Sequence, residues 1–252
     1  MLVTFRAIVC VLVAFVLAAG SAINSRAFAA DDVAKADAAI EARPAASEAE
    51  LKYWLENMVR YHGFSVEETA AATGLSLGEV QKNLKAFTIQ PESQKGRDSL
   101  LLLPWPSGRH PRIGFLEGAI LPQRETKVSI FTPWGDHDYV VVDVPEAVWS
   151  NLGLTYLAHT HIPTVFDKQG KTLKKLEWNR HADGTLDIER VLPNGIRFGA
   201  VVRPKIDHVQ MELWLKNGTP ELLTDLRVQN CVMLKSASGF NAQTNDNKQS
   251  EG

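Results

Sequence analysis

The chain has 252 residues, 45% of them hydrophobic and 22% charged, with a net charge of -2. That is a globular composition, with room for one large domain or two small ones at about 100–200 residues per domain. It lacks the basic surplus with which dedicated nucleic-acid binders neutralise phosphate.

Arg6 is the only charge before an apolar run of about 13 residues, Ala7 to Ala19. A bilayer span needs about 20 residues, so the run has the length of a signal h-region. Ala27-Phe28-Ala29 supplies a small-x-small cleavage site, with Asp31-Asp32 just beyond it. Residues 1–29 are therefore expected to be a signal peptide, and the mature chain to be periplasmic or extracellular. Cys10 leaves with the leader, which isolates Cys231 and rules out an internal disulfide. Cys231 is expected to be a small buried apolar side chain.

Residues 30–48 are rich in alanine and charge and are expected to be a mobile linker. Residues 49–89 predict three helices. Leu51, Trp54, Leu55, Met58 and Val59 recur at three- and four-residue spacing and form one apolar stripe. His62-Gly63 closes that helix. Ser65 with Glu68 and Ser76 with Glu79 are capping boxes opening the next two, and Gly74 makes the turn between them. Ala70, Gly74, Leu75, Val80 and Leu84 resemble the packing skeleton of the homeodomain-like helix-turn-helix in sigma factors and response regulators. That skeleton encodes helix packing, whereas DNA reading depends on the exposed face. Here Lys82 and Lys85 stand against Glu67, Glu68 and Glu79, a poor phosphate clamp. The unit is expected to serve packing or docking, with no nucleic-acid partner.

From residue 100 to 240 the chain reads as an antiparallel β-sandwich, making the whole α+β. "KVSIF" (127–131) and "YVVVDV" (139–144) are β-branched strands, and "PEAVWSNL" (145–152) reads as a short helical turn. "TLDIERVL" alternates, with Leu186, Ile188, Arg190 and Leu192 on one face, and runs through Asn194-Gly195 into "IRFGAVV", a hairpin signal. "VQMELWL" (209–215) and "LRVQNCVML" (226–234) follow as strands, and residues 241–252 read as a disordered tail.

Three polar clusters are candidates for chemistry: Arg109, His110, Arg112 and Glu117; Arg124 and Glu125; and His159 with His161. On an extended segment the two histidines share a face. They could bind a metal with a third ligand such as Asp143, His137 or His181, place one imidazole as a general acid, or hold a loop together. Trp105 and Trp134 sit beside prolines and are the expected surface pair for stacking on a sugar ring.

The region from about 178 to 240, with its central Asn-Gly hairpin, the strand ending "NGT" and the following "PELLTDL" turn, resembles the sandwich strands of galactose-mutarotase-like domains. "GRHPRIG" is similar to that superfamily's arginine-bearing sugar loop, and "LTYLAHTH" to its histidine-bearing strand. The chain as a whole resembles exported bacterial proteins that combine these parts. The resemblance implies a sugar cleft in which a histidine protonates a ring oxygen and a carboxylate takes the anomeric proton. His159, His161 and Glu125 are then the expected catalytic residues, with Arg109, Arg112, Arg124, Trp105 and Trp134 binding the substrate. No cofactor or metal is called for. The expected partner is a carbohydrate or another small polar ligand, with no membrane attachment once the leader is removed. A structural or interaction protein of the envelope and a DNA-binding regulator are the competing classes.

Overall fold

The computed structural model describes residues 2–9, 42–92, 99–106, 124–133, 135, 138–160, 162–234, 236–237 and 240. Residues Leu2–Val9, inside the expected leader, form strand β1. Helix α1 spans Glu48–Leu55 and widens into a π-helical turn over Glu56–Tyr61. Helices α2 (Val66–Thr73) and α3 (Leu77–Ala86) follow, each opened by the capping box its sequence predicts. Gly74 ends α2 at φ 76°, a left-handed conformation that glycine adopts without a Cβ clash. No helix among the described residues is long and apolar enough to cross a membrane.

Among the described residues, nine further strands make up two antiparallel sheets with β1: β2 (Leu101–Pro104), β3 (Lys127–Phe131), β4 (Tyr139–Ser150), β5 (Gly153–Leu157), β6 (Asn179–Arg180), β7 (Leu186–Val191), β8 (Arg197–Pro204), β9 (Val209–Lys216) and β10 (Arg227–Met233). Sheet I has the order β1-β9-β8-β7-β6. Sheet II has the order β10-β4-β3-β2, with β5 also on β4. The alternation read from the sequence holds: Leu186, Ile188, Ala200, Val202, Val209, Met211 and Leu213 of sheet I pack against Leu102, Val128, Ile130, Val142 and Val144 of sheet II. The Asn194-Gly195 turn sits at a left-handed φ of 90° at Gly195. The fold class is α+β, with the helices preceding every strand except β1.

The segment 145–152 is a correction: it is not a helical turn but the second half of β4, followed by a turn at 151–152. Proline followed by glutamate imitates a helix start. In the fold, Ala147, Val148 and Trp149 pair with β10 on one side and with β5 on the other, and that pairing overrides the local signal.

The helices do not stand apart from the sandwich. Trp54, Leu55, Met58 and Val59 share one core with Trp105, Phe131, Tyr139, Val141 and Met233, so the helical unit covers the outer face of sheet II. Each such buried side chain contributes about 1.5–3 kcal/mol, enough to fix the unit in place. His62 is central to this core. Its Nδ1 lies 2.9 Å from the Asn57 carbonyl and its Nε2 2.7 Å from Ser129 Oγ on β3. Its ring meets those of Trp105, Phe131 and Tyr139 edge-on at 4.9–5.1 Å. The expected mobile linker is also fixed at its described end, where the Arg43 amide donates to the Ala72 carbonyl and its guanidinium pairs with Glu125 and Glu177.

Candidate functional site

The alternation along β3 and β4 sends Phe131, Ser129 and Lys127, and Tyr139, Val141 and Asp143, to the helix-bearing face of sheet II. Lys127 and Asp143 are register partners, and Cys231 of β10 lies opposite Asp143 on its other side. One row across three strands therefore holds an ammonium, a carboxylate and a thiol. Lys127 and Asp143 are fully buried and joined as an ion pair. Burial of either charge alone is strongly unfavourable, so each depends on the other. Burial pushes the Asp143 carboxyl up, against the pull of the Lys127 ammonium. Asp143 Oδ1 has no hydrogen-bond partner among the described residues.

His159 reaches the same place from the segment after β5. Its Nε2 lies 3.8 Å from Asp143 Oδ2 and 3.3 Å from Glu146 Oε1. Gln229 of β10 donates to Glu146 Oε2 at 2.6 Å. The hydrogen bond from His159 holds the Glu146 carboxyl below its ordinary range, although partial burial opposes this. The side chains of His159 and Glu146 keep 10% and 14% exposure, so the pair touches solvent while Asp143 behind it does not. Burial pushes the Cys231 thiol up to about 11, reinforced by the Glu146 and Asp143 carboxylates. Farther along the face, Arg227 stands 5.8 Å from the ring centre of Trp149, its register partner. These two line a shallow cavity of about 720 Å³ with Val228, Gln229 and Asn230. Gln229 thus joins the cavity to the His159–Glu146 pair. An imidazole hydrogen-bonded to a carboxylate can give and take a proton, and a half-buried indole offers an apolar face.

The residues predicted from sequence are distributed differently. Arg109, Arg112, Trp134 and His161 lie outside the described residues. Arg124 comes close to His159 through its backbone, whose N–H donates to the Ala158 carbonyl at 2.7 Å. Its guanidinium turns to the Leu157 carbonyl and to Asp167 at 3.2 Å, and stacks near Tyr156. Glu125 is buried between two guanidiniums: Arg43 donates to Oε1 at 3.3 Å and Arg190 to Oε2 at 2.7 Å. Arg190 belongs to sheet I, so Glu125 ties the two sheets together rather than presenting a base to a ligand. Trp105 is a core residue, 4% exposed, because the helices fold over it. The surface position expected from its neighbouring prolines is not found. His181, considered as a metal ligand, bonds Asp187 on sheet I. Among the described residues, no three His, Cys, Asp or Glu side chains are placed to hold a metal ion.

Sequence reading missed Glu146, Gln229, Trp149 and the Lys127 partnership. One signal was available. Lys127 opens "KVSIF" and Asp143 is the fifth residue of "YVVVDV", so antiparallel pairing of the two apolar runs puts the opposite charges side by side. No family model, curated protein or solved structure matches the chain.

Proposed function

We propose that the helix-bearing face of sheet II recognises a sugar, and that His159 and Glu146 exchange a proton with it. One observation carries this reading. A largely buried imidazole–carboxylate pair, 3.3 Å apart and reaching solvent at its edge, is linked through Gln229 to a cavity walled by Trp149. The indole offers a face for the apolar side of a pyranose, and Gln229, Asn230 and Arg227 offer hydrogen bonds for its hydroxyls. The likeness of the region from about 178 to 240 to mutarotase-like strands favours a ligand of this class, and the export expected from residues 1–29 suits a protein that meets sugars outside the cytoplasm. Glu146 takes the carboxylate role first expected of Glu125.

The test measures anomer exchange of freshly dissolved aldoses by NMR, alongside calorimetric titration with the same sugars. The wild-type protein is expected to bind at least one aldose and to accelerate its exchange. His159→Ala and Glu146→Gln are each expected to slow exchange by about 10²–10⁴-fold, the usual contribution of a general acid or base. Failure to bind any of the sugars, or unchanged exchange in both variants, overturns the proposal.

A further inference from the structure

Sheet I carries a second recess, on the side facing away from the sandwich core. Leu213 and Leu215 of β9 point inward, so Trp214 between them points outward. Its register partner on β8 is Gly199. A Cβ at Gly199 would come within 2.6 Å of the indole Cζ2 and 2.7 Å of Cε2. The ring therefore lies flat on a strand whose side chain is missing at that one place. Only glycine permits so close an approach. One indole face rests on the backbone, and Trp214 forms a wall of a groove of about 620 Å³. The indole N–H has no hydrogen-bond partner among the described residues.

Polar groups surround this platform. His181, Asp187, Glu189 and Arg203 line the groove with it. Each is already engaged: His181 and Asn179 both bond Asp187, Glu189 pairs with Arg197 at 3.4 Å, and Arg203 pairs with Glu212 at 3.5 Å, while Asp183, also on the lining, accepts from the Thr185 N–H at 2.9 Å and from its hydroxyl at 3.0 Å. With Asp183, Asp187 and Glu189 on its lining, the groove is unsuited to an anion. It offers an apolar platform with hydrogen-bonding groups at its rim, and that combination complements a pyranose ring, whose C–H face is apolar and whose edge carries hydroxyls.

We propose that this groove is a second, independent carbohydrate site, which holds one ring of a neutral glycan against Trp214. It shares a ligand class with the proposed His159 site but none of its residues, and it lies on the other sheet.

Native affinity electrophoresis of the full chain through gels containing a neutral polysaccharide tests this, using xylan, mixed-linkage β-glucan and galactomannan in turn. At least one is expected to retard the wild-type protein. Trp214→Ala is expected to lose at least 10-fold in affinity for that polysaccharide, and Trp214→Phe, which keeps a smaller platform, to lose less. Asp187→Asn gives a second reading should Trp214→Ala misfold, with a loss of several-fold expected. The groove shares no residue with the His159–Glu146 pair, so failure of anomer exchange on sheet II leaves this result untouched. The proposal is overturned if no neutral polysaccharide retards the protein, if retardation occurs only with an anionic one, or if Trp214→Ala and Asp187→Asn both bind as wild type.

Discussion

Replacing Glu125 with leucine should unfold this protein far more readily than its modest size suggests. The Arg190 side chain is 4% exposed and that of Glu125 8%. With Glu125 gone, the Arg190 guanidinium keeps the Lys174 carbonyl at 2.8 Å and little else, since its Nε has no partner even in the native chain. Breaking a buried pair from one side costs about 3–5 kcal/mol. Arg43 adds little to that loss, because it retains Glu177 at 2.7 Å and the Leu176 carbonyl at 2.9 Å. Urea denaturation followed by circular dichroism measures the effect. With a slope of about 2 kcal/mol per molar urea, the midpoint should fall by about 2 M. The double variant Glu125→Leu/Arg190→Met removes both charges and should recover most of the loss. A single-variant cost below about 1 kcal/mol, or a double variant no better than the single, would show that Glu125 does not hold the sheets together. A Glu125→Leu protein that folds normally yet loses all anomer exchange would restore it as a catalytic base.

Four further outcomes are expected. Glu146 should titrate below 4.5 in the folded protein, so it stabilises the fold above that pH and ceases to do so as the pH falls through its lowered value; His159→Ala should raise its carboxyl ¹³C titration midpoint toward 4.5. Cys231, with its thiol pushed up to about 11, should react slowly with iodoacetamide at pH 8, and Glu146→Gln should speed the reaction. Mass measurement of the secreted protein should place its N-terminus near Ala30 or Asp31, whereas a product retaining residues 1–29 would argue against export. Mixed-sequence duplex DNA should bind more weakly than the ~10⁻⁴–10⁻⁶ M of ordinary non-specific binders at physiological salt; a tight complex lost on Lys82→Ala and Lys85→Ala would reinstate the regulator.

What could be read from the sequence was local. Ser65 with Glu68 and Ser76 with Glu79 close their hydrogen bonds within one helical turn, so three-residue spacing is sufficient to find them. Asn194-Gly195 and the alternation of β7 and β9 are equally short-range. The failures share the opposite property. Glu125 is bound by residues 82 and 65 positions away, and nothing in "PQRETK" indicates that two arginines will converge on it. Trp105 owes its burial to helices about fifty residues earlier in the chain. Glu146 meets Gln229 across 83 positions, and only the register of β4 with β10 brings them together. The proposed site was therefore half visible: His159 stood out in its own segment, while its carboxylate partner depends on a pairing that the sequence does not announce.

The position of β10 also determines when the molecule becomes complete. Gln229, Arg227 and the floor of the Trp149 cavity all arrive on this strand, as does Met233, which seals the core beneath the helices. Closing a loop of about 80 residues costs about 2 kcal/mol more entropy than closing a ten-residue hairpin. The helices and the β3–β4 ladder can assemble while the chain is still emerging, whereas sheet II gains its outer edge only after residue 233 has been synthesised. A nascent chain that ends before residue 227 has His159 but neither the amide nor the cavity beside it, so the proposed ligand recognition on this face would be among the last properties that the growing chain acquires.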